Sequence, residues 1–182
     1  DLEHYLGQKG ITFIGEDGSL GIELGKSDEF PDYPTVDSHQ LKLLLPKFLK
    51  SNKPSYLRLF FPKAKVLTKK IKYNHKKIQI IKKLQKINII TYGYMLQSSL
   101  EACNELKKKR INCGLINIHC IKPLDAKGIL EISKKSRFLI IIEDHNKFGG
   151  LGSIVTQIVS EKKSNKILSI NTGDKFGKTG LP

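Results

Sequence analysis

IKPLDAKGILEISKKSRFLIIIEDHNKFGGLG, residues 121–152, is the stretch that decides the fold. Asp125 stands ahead of Ile129, Leu130 and Ile132, which share a face at helical spacing, so the stretch predicts a helix capped by that aspartate. Phe138–Ile142 is an unbroken apolar run. A strand without a polar face belongs in the middle of a mostly parallel sheet, covered on both sides. The acidic EDH that follows ends the strand, and glycines at 149, 150 and 152 open a second helix with Ile154, Val155, Ile158 and Val159 inward. Helix, buried strand, acidic strand end, glycine turn and helix is the order of an open α/β sheet, whose strand ends carry the chemistry.

The same alternation extends outward. Residues 87–92 read as a strand ending at Gly93, and 96–110 as a helix with Leu96, Leu100, Cys103 and Leu106 on one face. Its last turn carries KKKR, where the helix dipole favours cations. Strands are expected at 115–118 and 167–170, which completes a βαβαβαβ unit of about 95 residues, a plausible domain by size. Upstream, 11–14 and 56–61 read as strands, with the turn-forming GEDG at 15–18. A helix starting at Asp37 or Ser38 carries Leu41, Leu44 and Phe48 on one face and is expected to kink or stop at Pro46. The lysine-dominated stretch 63–86 reads as an exposed linker, with short edge strands where Ile78 and Ile80 alternate. The fold class expected is α/β, with open, mostly parallel sheets and helices on both faces. The expected division is a partial α/β unit at 1–62, the linker at 63–86 and a second unit at 87–182.

Composition narrows the function. The chain has 182 residues and a formal net charge of +15, with 39% apolar and 27% charged residues, enough to bury a core. The longest apolar run is far below the ~20 residues that cross a bilayer, so no membrane partner is expected, and the expected location is the cytoplasm. The chain opens with no signal-peptide pattern and begins at Asp1 rather than Met, so further sequence upstream is expected. Almost all the positive charge is lysine: Arg58, Arg110 and Arg137 are the only arginines, and there is no Trp. Base reading and stacking prefer arginine and aromatics, so no specific nucleic-acid partner is expected. Cys103, Cys113 and Cys120 have no CxxC spacing and read as buried free thiols rather than metal ligands or disulfides, so no metal site is expected in this chain.

A series of motifs in order gives the chain a family resemblance: GEDG at 15–18, PTVD at 34–37, PSYLRL at 54–59, ITYGYM at 90–95, LINIHCIKPLD at 115–125, IIEDHNKFGGLGSIV at 141–155 and FGKTG at 176–180. Over nearly its whole length the chain resembles the C-terminal part of transketolase: the second half of the pyrimidine-binding middle domain, then the C-terminal domain. IKPLD followed by EDH and GGLG is shared with the related deoxyxylulose-phosphate synthases and the beta subunits of 2-oxo-acid dehydrogenases. The EDHN spelling and the FGKTG ending favour transketolase.

The resemblance implies transfer of a two-carbon ketol unit between phosphosugars in carbohydrate metabolism, with thiamine diphosphate and a divalent metal (Mg or Ca). Both would be bound mainly by parts outside this chain. It also implies a homodimer or a complementary N-terminal portion as partner. No residue here matches the family's catalytic glutamate, so no catalytic residue is assigned, and the chain alone is expected to be inactive. Asp17 in GEDG resembles the aspartate that accepts from a substrate hydroxyl, a task suited to a carboxylate. Arg58 in YLRL resembles the arginine that holds the sugar phosphate, which a guanidinium matches with two parallel hydrogen bonds. Lys9 stands where the family has histidine, and the loop after GEDG departs from the family pattern and is shorter. The alternative reading is a non-catalytic dimerisation or assembly module, or a subunit of a related thiamine enzyme. Glu143, His145, Gly149 and Gly150 stand at a strand end, where a ligand or dimer contact is expected. The glycine turn itself is read mainly as a device for close strand-to-helix packing.

Overall fold

The computed structural model describes residues 76–162 and 165–175 throughout, together with 12–16, 19–23, 32–33, 38–50, 56–59, 67–68 and 74. In the first part β1 (Thr12–Glu16) and β2 (Ser19–Glu23) pair antiparallel on either side of residues 17–18. β3 (Asp32–Tyr33), helix α1 (Ser38–Leu49) and β4 (Tyr56–Leu59) follow. The sheet order is β1-β2-β4-β3, with β4 antiparallel to β2 and parallel to β3. Of the two outcomes expected at Pro46, a kink or a stop, the stop does not occur: α1 runs through it to Leu49. Proline removes one intrahelical donor, and buried Gln40 and Leu44 hold the helix to the protein on the turns before that gap.

The second part is a five-stranded sheet: β5 (Gln79–Lys82), β6 (Ile87–Thr91), β7 (Cys113–Asn117), β8 (Phe138–Ile142) and β9 (Lys166–Ile170). Its order is β5-β7-β6-β8-β9. β6, β7, β8 and β9 are parallel, and β5 is antiparallel to β7 with a register shift between Ile80 and Lys82. Helices α2 (Met95–Lys108), α3 (Ala126–Lys135) and α4 (Leu151–Ser160) make the connections. The apolar run at Phe138–Ile142 therefore lies between two parallel neighbours, as its composition requires. β5 lies inside the stretch read as an exposed linker, at the place where Ile78 and Ile80 predicted an edge strand.

The three central strands, β6, β7 and β8, feed two cores because successive side chains alternate between faces. Ile90, Ile116, Leu139 and Ile141 pack against Ile129 and Ile132 of α3 and Val155 and Val159 of α4. Ile89, Leu115 and Cys113 pack on the opposite face against Leu96 and Cys103 of α2. The sheet is thus covered on both sides, the mostly parallel α/β architecture expected. Asn88, buried within β6, donates to the Ser136 hydroxyl at 2.8 Å and accepts from the Gln85 N–H at 3.0 Å, which ties the start of β6 to the α3–β8 connection.

Candidate functional site

All the parallel strands point their C-terminal ends to one edge. From there α2 leaves β6 to one face, while α3 and α4 follow β7 and β8 to the other. In an open α/β sheet this reversal opens a crevice between the ends of neighbouring strands, here β6 and β8. Glu143, Asp144 and His145 stand at that point, just past β8.

The structure gives these residues different tasks. Glu143 is buried, 3% exposed. Its backbone N–H donates to the Ile170 carbonyl at 3.0 Å, and its Oε1 accepts from the Gly152 N–H at 3.0 Å and the Ser169 hydroxyl at 3.5 Å. A strand-end carboxylate therefore satisfies an orphan donor in the first turn of α4, where the helix dipole also favours negative charge. Oε2 is buried and makes no hydrogen bond. It lies against Gly150: a Cβ at that position would sit 2.8 Å from Glu143 Cδ and 2.9 Å from His145 Nδ1. A Cβ at Gly152 would meet Ser169 Oγ at 2.6 Å and Glu143 Oε1 at 2.8 Å. Gly149 takes φ 76°, the left-handed region. The GGLG motif thus lets β8 and α4 approach closely around Glu143.

His145 Nδ1 lies 3.0 Å from the Asn146 carbonyl, and the His145 carbonyl accepts from the Thr172 N–H at 3.0 Å and hydroxyl at 2.9 Å. The Lys147 N–H donates to the Gly173 carbonyl at 3.0 Å. The EDHN loop is therefore pinned to the segment after β9, and Asp144 is the exposed acid of the group. Glu143, His145 and Gly150 come together at this point. Asp17 lies outside the described residues. Arg58 is placed by its backbone in β4, paired with Gly21 of β2, and its side chain lies outside the described residues. Pairing through β2 puts the backbone of Arg58 on the strand next to the hairpin that contains the GEDG motif.

A second polar group was not legible from sequence. After β7, His119 is 1% exposed with Nε2 3.1 Å from the Asn74 carbonyl. Cys120 Sγ donates to the Pro123 carbonyl at 3.3 Å, and the Lys122–Pro123 peptide is cis. Asp125 caps α3 through the Gly128 N–H at 3.1 Å and pairs with Lys77 at 3.2 Å. His119, Cys120, Asp125 and Lys77 line a shallow surface groove together with Ile78 and Ile118. Deeper in, Gln40 of α1 donates to the Gln79 side-chain oxygen, which also accepts from Asn117 at 3.0 Å. The only sequence signal for this group was a histidine and a cysteine at the end of an otherwise apolar strand.

Cys103, Cys113 and Cys120 are buried thiols, none of them in a disulfide. Burial pushes the Cys103 thiol up, reinforced by neighbouring Cys113, and pushes Cys113 up as well, with Lys82 opposing in both cases. Both stay protonated at neutral pH, and a thiol rather than a thiolate is a poor nucleophile. Among the described residues no three His, Cys, Asp or Glu side chains converge to hold a metal ion. None of the described helices is long and apolar enough to cross a membrane.

Comparison with known proteins agrees with this architecture. Residues 76–175 match the family "Transketolase, C-terminal domain". The chain is 27% identical over 150 residues to the 6-deoxy-6-sulfo-D-fructose transketolase subunit SqwH of Clostridium sp. (strain MSTE9), covering 82% of this chain and 47% of that protein. It is 28% identical over 175 residues to the 1-deoxy-D-xylulose-5-phosphate synthase of Clostridium acetobutylicum, covering 90% of this chain and 28% of that one. A solved structure described as "Split gene transketolase, inactive beta4 tetramer" shares the fold, with a TM-score of 0.76 and 22% identity over 82% of this chain and 50% of its own. The chain spans about half, or less, of the length of these relatives.

Proposed function

The chain belongs to the transketolase C-terminal domain family, and from that premise we propose that it is the C-terminal portion of a thiamine-diphosphate-dependent transketolase that transfers a two-carbon ketol unit between phosphosugars. The observation that carries the reading is the coincidence of three features. They are the family match over 76–175, a likeness to a protein named as a transketolase subunit that extends across 82% of the chain, and an upstream sheet that brings the GEDG hairpin beside the strand of Arg58.

Thiamine diphosphate, when bound, supplies the carbanion chemistry, and the protein orients cofactor and substrate. The cofactor and its divalent metal are held mainly by a complementary N-terminal portion, as the family resemblance implies. This chain's own contribution is to the substrate: Asp17 accepts hydrogen bonds from a sugar hydroxyl, and Arg58 holds the terminal phosphate. Glu143 contributes no chemistry and braces α4. Function requires a partner, either a second copy or the N-terminal portion, and the proposed location is the cytoplasm.

A second reading is a subunit of a related thiamine enzyme, favoured by the deoxyxylulose-phosphate synthase likeness over 90% of the chain. A third is a non-catalytic assembly module, in line with the inactive tetramer named for the split-gene relative.

The full chain mixed with the N-terminal transketolase portion from the same genome tests these readings. The expected result is thiamine diphosphate binding by calorimetry and ketose-to-aldose transfer in a coupled assay, with neither from the chain alone. Synthase activity on pyruvate and an aldose phosphate would move the assignment to the second reading. A stable complex without cofactor binding would establish the module. Within an active complex, Asp17→Asn and Arg58→Ala are expected to lower kcat/KM by about tenfold or more, as lost charge-assisted contacts of ~1.5–3 kcal/mol imply.

A further inference from the structure

The edge of the sheet opposite the EDH loop is strongly basic, and its cations come from separate connections that the topology aligns. Ile87 of β6 is in register with Cys113 of β7 and Phe138 of β8, and Phe138 with Lys166 of β9, so the residues before each strand share one rim. Antiparallel β5 delivers its own end to the same rim, and the Arg137 N–H donates to the Lys86 carbonyl at 2.7 Å. On this rim stand KKKR at 107–110 closing α2, Lys134 and Lys135 closing α3, Arg137 before β8, Lys83 and Lys86 between β5 and β6, and Lys166 opening β9. All of these are exposed. Among the described residues the acids nearby are Glu105, engaged with Lys108 at 2.6 Å, Glu131, one turn before Lys134 and Lys135 on α3, and exposed Glu161.

Helix dipoles account for the lysines in the last turns of α2 and α3. They do not account for Lys83, Lys86 or Lys166, which lie away from helix C-termini. Arg110 also lies at the α2 dipole, but its backbone sets it apart. It occupies the residue after the α2 C-cap at φ 62°, the position and conformation for which glycine is the ordinary choice. A cation stands there at a conformational cost.

We propose that this rim binds the phosphodiester backbone of nucleic acid without reading its sequence. Strands lie about 4.8 Å apart, so five of them spread the charges over roughly 20 Å, a line that suits a linear polyanion. Exposed lysines on flexible stems make phosphate contacts that position a strand and release its counterions. Apart from Phe138, which packs under Arg137 and Lys166, the described residues of the rim include no aromatic ring for stacking, and only Arg110 and Arg137 among its cations are arginines. A protein partner fits less well: interfaces are depleted in lysine and need a buried apolar anchor, and the exposed large apolar residue beside the rim's KKKR segment is Ile111. The inference is independent of the catalytic reading above.

Fluorescence anisotropy on the full chain tests it, using a labelled oligodeoxythymidine of about 20 nucleotides and a mixed-sequence strand of equal length. Both strands are expected to bind equally well, and affinity is expected to fall by about three-hundredfold as salt rises from about 50 to 200 mM, as for some six phosphate contacts on a single strand. The variant K83Q/K86Q/K166Q leaves the cations at every helix end in place and is expected to weaken binding at least tenfold. The control K122Q/K127Q/K147Q removes the same charge from the opposite edge and is expected to change it less than twofold. Thermal melts of both variants should match the parent. Equal losses from the two variants would show that net charge alone binds the strand and would overturn the assignment to this rim. Binding of polyglutamate as tight as that of the oligonucleotide, or binding indifferent to salt, would overturn the phosphate reading.

Discussion

Glu143 and Gly150 show how closely two residues from different elements depend on one another. The carboxylate holds the first turn of α4 through the Gly152 N–H, and Gly150 leaves room for its other oxygen. Gly150→Ala is expected to push the carboxylate from its place and lower stability by about 1–3 kcal/mol, measured by urea unfolding. Its φ of −80° suits alanine, so a clash and not backbone strain would be responsible. The glycines' role in packing was legible in sequence, because glycine between a buried strand and a helix has few other uses. The pinning of Glu143 was not, because it depends on Ser169 and Gly152 arriving from elsewhere in the chain. Cys103 and Cys113 carry a pH consequence. Their folded-state thiols ionise less readily than unfolded ones, so above the ordinary thiol pKa of roughly 8.5 the unfolded chain releases protons that the folded one retains. Stability attributable to the neutral thiols is present below that value and is lost as pH rises through it. The melting temperature is expected to drop over that range, and the drop is expected to shrink in Cys103→Ala.

At the scale of elements, local signals predicted helices well and strand partners poorly. Asp125 caps α3 as its position before the apolar periodicity implied, and it also binds Lys77 and the Ile78 N–H, which draws the segment ahead of β5 onto α3. Asp125→Ala is expected to cost about 1 kcal/mol from the cap alone. Hydrogen exchange should then rise in the first turn of α3 and in residues 76–78 together; a rise confined to α3 would show that the tie to β5 carries no weight. The antiparallel pairing of β5 with β7 could not be read locally, since nothing in QIIK names its partner. The stop expected at Pro46 fails for a related reason: propensity weighs the lost donor, while burial of Gln40 and Leu44 is a tertiary matter.

For the whole molecule, family membership and architecture were legible because motif order and apolar periodicity agree across some hundred residues. The charge asymmetry between the two sheet edges was hidden. A net charge of +15 says how much positive charge there is, and only strand order shows that much of it gathers on one rim. The substrate-facing residues proposed here, Asp17 and Arg58, belong to the first part of the sequence, away from the basic rim.

The strand order β5-β7-β6 also bears on how the protein is made. Gln79 pairs with Asn117, 38 positions later, while β6 and α2 lie between them in the chain. At about 5–20 residues per second, β5 leaves the ribosome some 2–8 s before its partner strand exists. During that interval a short apolar strand has no ladder to join and is exposed to pairing with other nascent chains. Lysines at 76, 77, 82, 83 and 86 flank it on both sides and act as gatekeepers until β7 arrives. Lys83→Ile with Lys86→Ile is therefore expected to raise the insoluble fraction during synthesis severalfold, measured by pelleting, while the purified protein melts within about 2 °C of the parent, as for surface changes of under ~0.5 kcal/mol. The lysine-rich approach to the sheet is in this sense a timing device, one that protects a strand born before its neighbour.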